Sequence, residues 1–167
     1  MRLTLFLTIL LTACRPGDKG QNNSDSNTNA KGIESKTNCK ADNALTFINS
    51  YVDNCKKMKE AIDVVDWVNA SDLATSRLKA ELKTTIDEAN KRDPIMGLDF
   101  DPIFNGQYYP PEGFELDSFD EKTNYLTVKG KDMSQFKVTM KIVLEKDKCL
   151  VDGCGFIGIP KDKRAVR

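Results

Sequence analysis

Histidine is missing altogether from this chain of 167 residues, and its absence excludes more chemistry than any motif adds. Ser-His-Asp triads, Cys-His pairs and His-ligated metal sites are closed to it. A nucleophile would need Lys, Asp or Glu as its base, a less common arrangement. The chain is therefore expected to be no enzyme and to hold no cofactor and no metal. Net charge is missing too, since 25 Lys and Arg face 25 Asp and Glu. Lysines and acids alternate along the whole sequence, which leaves no basic face to displace counterions from a nucleic acid. A long apolar run is also lacking. The longest, residues 3–11, is stopped by Arg15, Asp18 and Lys19, well short of the roughly 20 residues a spanning helix needs.

What the N-terminus does contain is Arg2, a short apolar segment and Leu11-Thr12-Ala13-Cys14. A basic start, an apolar stretch and small residues before a cysteine form a secretory signal, and this one resembles a bacterial lipobox. Residues 1–13 are then a signal peptide, and the mature protein begins at a lipidated Cys14. Each methylene of such an acyl chain adds about 0.8 kcal/mol of membrane affinity, so the expected anchor is lipid and not helix. Removal of Arg2 leaves the charge nearly balanced. Arg15 directly after the cysteine resembles an outer-membrane sorting signal in Gram-negative lipoproteins, which places the domain facing the periplasm.

Residues 14–38 are mostly Asn, Ser, Asp, Gly, Lys and Thr and cannot bury enough apolar surface to offset the entropy of ordering. They read as a tether with a reach of roughly 25 to 30 Å. Residues 39–167 suit one domain of ordinary size. Ala44, Leu45, Phe47, Ile48, Tyr51, Val52 and Cys55 recur at three and four and predict an amphipathic helix with Asp42 as its N-cap. Ile62, Val64, Val65, Trp67 and Val68 lead to Asn69 and Ser71 as capping candidates. Leu73, Leu78, Leu82 and Ile86 continue on helical spacing until Asp93-Pro94. Gly, Pro, Asp and aromatics dominate residues 95–119, which reads as an ordered loop pinned by rings. Strands follow at 125–129, at 136–144 where apolar and polar residues alternate, and at 149–159, loosened by Gly153, Gly155 and Gly158. Helices first and an antiparallel meander afterwards make an α+β domain, with helices on one face of a curved sheet of about four strands.

Four cysteines remain beside Cys14: Cys39, Cys55, Cys149 and Cys154. An even number outside the cytoplasm points to two disulfides, whereas a zinc site would show paired C-x-x-C knuckles that are absent. Cys39 and Cys55 are roughly 24 Å apart if helical throughout, and Cys149 and Cys154 about 17 Å apart along a strand. Bridged cysteines need Cα atoms within about 7 Å. Pairing of each helix-side cysteine with a strand cysteine is the expectation. Sequential pairing stays open, because Cys39 precedes the helix and Gly153 could bulge the strand.

Phe47 and Tyr51, Trp67, and above all Gly97-Leu98-Asp99-Phe100-Asp101-Pro102-Ile103-Phe104-Asn105-Gly106-Gln107 give the chain a resemblance to the bacterial family called domain of unknown function 3828. In that family an Asp, a nearby Asp-Pro and a Gln stand at similar spacing, and the match covers residues 43–158. Cys149 departs from it, standing where these proteins often carry Trp, as a disulfide replacing an aromatic plug would. The resemblance implies a cone-shaped fold of the nuclear-transport-factor-2-like or cystatin-like kind, often behind a lipoprotein signal, and implies no reaction.

Asp99, Asp101, Gln107, Tyr108 and Tyr109 form the candidate site for a ligand or partner. Asp before Phe and Pro more often fixes a turn through its own backbone, and the spacing matches no EF-hand loop. Asp99 and Asp101 would share a face on an extended segment, which keeps an acid–base pair as a third-ranked, enzymatic reading. Phe47, Tyr51 and Trp67 fit a core better than a ligand cavity. The leading expectation is a monomeric lipoprotein whose non-catalytic domain binds an envelope protein or small ligand. An immunity lipoprotein that neutralises a toxin from a neighbouring cell is the alternative.

Overall fold

The computed structural model describes residues 39–166. The signal at 1–13, Cys14 and the tether at 14–38 lie outside the described residues. Three α-helices come first among the described residues: α1 (Asp42–Cys55), α2 (Val64–Ala70) and α3 (Ser76–Arg92). Four strands follow: β1 (Phe114–Asp120), β2 (Tyr125–Gly130), β3 (Lys137–Glu145) and β4 (Lys148–Cys154). The strands make one open antiparallel sheet in the order β1-β2-β3-β4. The domain is thus α+β, as the element order predicts.

Helix α1 buries Ala44, Phe47, Ile48, Tyr51 and Val52, a stripe at helical spacing that needs an apolar partner surface. The sheet supplies one through Leu126, Val128, Val138, Met140 and Ile142, all buried in the same core. Because strand side chains alternate, Lys129, Lys137 and Lys141 fall on the opposite face. Asp42 is the first helical residue and not the cap; Ala41 precedes it without a side-chain bond. There the carboxylate still meets the positive end of the helix dipole.

Neither Asn69 nor Ser71 caps the long helix. Ser71 Oγ accepts from Leu73 N (3.3 Å) in a turn, and Thr75 caps α3 by accepting from Leu78 N (3.1 Å). Between them the chain is extended, and Ala74 bridges Val151 in parallel. Val151 N donates to Leu73 O (2.7 Å), and Thr75 N donates to Val151 O (3.0 Å). This segment covers the outer edge of β4, which would otherwise present unpaired backbone groups.

The expected 95–119 loop gives up its last part to β1. An edge strand with one wet side tolerates Glu115, Asp117 and Asp120, and their acidity hid its pattern. Strand β4 stops at Cys154, earlier than expected, because Gly155 turns the chain at φ +59°. A Cβ on Gly155 would run into the Ile103 carbonyl. Within β4, Ile142 pairs with Val151 and Lys141 with Gly153, so Asp152 is an extra, bulged residue. The bulge aims its carboxylate sideways. Arg77 Nε and Thr75 Oγ1 donate to Asp152 Oδ1 (2.9 and 3.0 Å), and Arg77 Nη1 reaches Glu81 (3.1 Å). Glu81 in turn accepts from Gly158 N (3.0 Å), so α3, β4 and the C-terminal turn are tied together.

Candidate functional site

A column of rings runs through the domain. Trp67 contacts Tyr51 (4.9 Å between centroids), Tyr51 contacts Phe104 (5.0 Å), Phe104 contacts Phe114 (5.8 Å) and Phe114 contacts Phe136 (6.1 Å). Phe104 is the loop's contribution, and Asp101 fixes it there. Asp101 Oδ1 accepts from Ile103 N (2.8 Å) and Phe104 N (2.9 Å), while Oδ2 accepts from the Tyr51 hydroxyl (2.6 Å). The first two bonds are the turn-fixing pattern of an Asx motif. Burial holds Asp101 above the usual carboxylate range and Tyr51 above the usual phenol range, and the Asp101 charge raises Tyr51 further. Burial also pushes the Cys55 thiol up to about 11, which keeps it protonated and a poor nucleophile near neutral pH.

Just ahead of this turn lies a second one that displays apolar side chains. Asp93 Oδ1 accepts from Ile95 N and Met96 N (3.0 Å each), and Asp93 O accepts from Gly97 N (2.8 Å). These amide bonds, Met96's foremost, hold the Asp93 carboxyl below its ordinary range. Gly97 closes the turn at φ +57°, and Asn90 Oδ1 occupies the place where a Cβ would project. The result is a stiff turn that leaves Ile95 93% and Met96 65% exposed.

Two clefts flank residues 97–100. One of about 360 Å³ is lined by Asp63, Val64, Ile86, Asn90, Ile95 and Met96, and further by Leu98, Phe100 and Asp101. The other, of about 410 Å³, lies between Ala89, Arg92, Asp99, Phe100 and Phe156. Phe156 is itself held by Phe100 (5.3 Å) and by the Arg164 guanidinium (4.1 Å). Ile62, next to Asp63 and 50% exposed, extends the apolar rim. Asn54 fixes that corner, with Nδ2 donating to Ile62 O (2.8 Å) and Oδ1 accepting from Ile62 N (3.0 Å).

The five residues expected to form a site have separate occupations. Asp99 is exposed, and only its carbonyl takes a long bond from Gln107 Nε2 (3.4 Å). Asp101 turns inward to Tyr51, so the two carboxylates do not act on a shared face. Tyr108 is 59% exposed and sets its ring edge-on to Phe136 (5.3 Å). Tyr109 stacks on Phe104 (5.3 Å). Asp63, Ile95 and Met96 escaped the sequence reading. The signal for the last two was Asp93-Pro94 and Gly97 bracketing two apolar residues; for Asp63 it was its N-cap position before Val64, where Oδ1 accepts from Val65 N (2.9 Å).

The cysteines need a correction. Cys39 and Cys149 are bridged, a helix-side cysteine with a strand cysteine, but Cys55 and Cys154 are free thiols. Only one of the two expected disulfides is therefore present. Cys154 is instead buried against the Ile103 carbonyl (3.5 Å), and Cys55 shares hydrogen bonding with Tyr51. Each thiol has a local partner in the packed core, so the second link is not needed to satisfy either. Among the described residues no group of three or more Cys, Asp or Glu is placed to hold a metal ion, and no helix is long and apolar enough to cross a membrane.

The class that fold and site define is an α+β domain with an apolar-rimmed pair of clefts at one end of its first helix. No protein-family model, no curated protein and no solved structure matches the chain.

Proposed function

We propose that the protein is a lipoprotein anchored through Cys14, in the outer membrane facing the periplasm, whose monomeric domain docks a partner protein of the envelope without catalysis. The observation that carries this reading is the Ile95–Met96 turn. Two large apolar side chains are held in water by a turn built for the purpose, beside clefts lined by more apolar residues, and such patches mark interaction surfaces. Its position supports the same reading. The chain enters the domain at Cys39, bridged beside the first turn of α1, while the clefts lie at the far end of that helix, whose 14 residues span about 21 Å. A partner seated there lies away from the Cys39–Cys149 bridge. Absent histidine and the engagement of Asp101 with Tyr51 favour binding over catalysis. The resemblance to the domain of unknown function 3828 family rests on the residues 97–107 pattern and adds no role to any of them.

A photo-crosslinking amino acid at Met96 of the full-length lipoprotein in its own cells tests this. One dominant product is expected, absent when the probe is at Lys141 and lost with Ile95→Asp. Equal labelling from both positions, or none, rejects the docking surface. A Cys14→Ala variant that escapes palmitate labelling and leaves the membrane tests the anchor, and an adjacent toxin gene as the source of the product would make the reading immunity.

A further inference from the structure

The cleft between α2, α3 and the Ile95–Met96 turn has a chemical bias that its apolar rim does not explain. Asp63 and Asp101 line it, and no Lys or Arg does. Neither carboxylate has an ion-pair partner among the salt bridges of the described residues. Both are already held in place by backbone amides, Asp63 by Val65 N (2.9 Å) and Asp101 by Ile103 N and Phe104 N (2.8 and 2.9 Å). A carboxylate offers about four acceptor positions; Asp101 uses three of them and Asp63 one. Two carboxyl groups with no cation beside them, set among Val64, Ile86, Leu98 and Phe100, select a particular visitor. It must be cationic at one point and apolar beside it.

Building on the docking function proposed above, we infer that this cleft accepts an Arg or Lys side chain from a partner protein, with aliphatic residues flanking that cation seated against Ile95, Met96 and Leu98. A protein segment is favoured over a small amine because exposed Ile62 continues the apolar rim past Ile95 and Met96 of the cleft lining, where a small ligand would not reach. Arginine suits it better than lysine, since a planar guanidinium brings several directed donors where an ammonium is a point charge.

The test uses the full-length lipoprotein in detergent and a fluorescein-labelled, end-capped peptide Gly-Leu-Arg-Leu-Gly, alongside the same peptide with neutral citrulline for Arg. The Arg peptide is expected to bind about tenfold tighter, the size of one charge-assisted contact, and to weaken with salt. Asp63→Asn and Asp101→Asn each keep the oxygen that the backbone amides use. Each should bring the Arg peptide close to the citrulline peptide without changing the latter. Asp63 is exposed at a helix cap, so its variant folds even if the Asp101 variant does not. Equal affinity of the two peptides, loss of both alike in the Asn variants, or no binding overturns the inference. Equal affinity that is abolished by Ile95→Asp overturns the cation alone and leaves the docking surface standing; a blank crosslink at Met96 removes that surface itself.

Discussion

The first turn of α1 is fastened by the Cys39–Cys149 bridge and by Asn43 Nδ2 donating to Cys149 O (2.8 Å). Its last turn has no covalent link. There Tyr51 holds Asp101, Asn54 holds Ile62, and Cys55 and Cys154 stay reduced. The cross-linked end carries a polar recess lined by Lys40, Asp42, Asn43, Asp147 and Lys148. The other end carries the apolar-rimmed clefts and the exposed Ile95 and Met96. The crosslink constrains the unfolded chain at the first end, whereas the opposite end is held by hydrogen bonds and ring contacts alone.

The largest effect expected at the linked end is that of Cys39→Ser, which should cost about 2–5 kcal/mol in chemical denaturation. Alkylation before reduction should mark native Cys55 slowly at neutral pH and faster as pH rises toward its value of about 11, and Cys154 only after unfolding. A Cys55–Cys154 peptide recovered from oxidised protein would erase the contrast between the ends.

At the other end, Asp101→Ala abandons two amides and the Tyr51 hydroxyl at once, at about 1–3 kcal/mol for each buried donor left unpaired. Tyr51→Phe removes one bond and should cost about 1 kcal/mol. Denaturation midpoints showing the two variants equal would mean that Asp101 does not organise the loop.

The smallest effect is a pH dependence that sharpens the comparison. Lys137, bonded to Asp117 (2.7 Å), holds that exposed carboxyl below its usual range. A folded-state pKa below the unfolded one adds stability in full above the unfolded value, about 3.9, and loses it as pH falls through the folded value. Asp101, raised by burial, has the opposite sign, its stabilising effect being lost as pH rises from the unfolded value through the folded one. Thermal melts between pH 3 and 7 should therefore show Asp117→Asn flattening the acid-side loss and Asp101→Asn steepening it. Parallel curves for both would contradict these assignments.

Much of the architecture was legible because burial has a period. The apolar residues of α1 at three and four, and the alternation through β3, stated which faces meet, and Asp93-Pro94 stated where α3 ends. Strand β1 was not legible, since an edge strand with a single buried residue, Phe114, has no alternation to read. Thr75 was passed over as a cap because its choice over Ser71 depends on Asp152, 77 positions away. The site was half legible. Turn chemistry around Asp101 was visible in the sequence, but that its Oδ2 would meet Tyr51 and not Asp99's solvent required the fold. The unpaired second cysteine couple was hidden for the same reason, as spacing limits which thiols can meet without saying which do.

Three asparagines make α1 a camshaft. Asn43 engages β4, Asn49 takes both backbone groups of Phe114 at the start of β1 (2.7 and 3.0 Å), and Asn54 grips Ile62. Each lobe is timed by the helical pitch. One residue inserted between Asn43 and Asn49 would advance both later lobes by about 100°, unlatching the Ile62 corner and the sheet's first hairpin while leaving composition and hydrophobicity almost untouched.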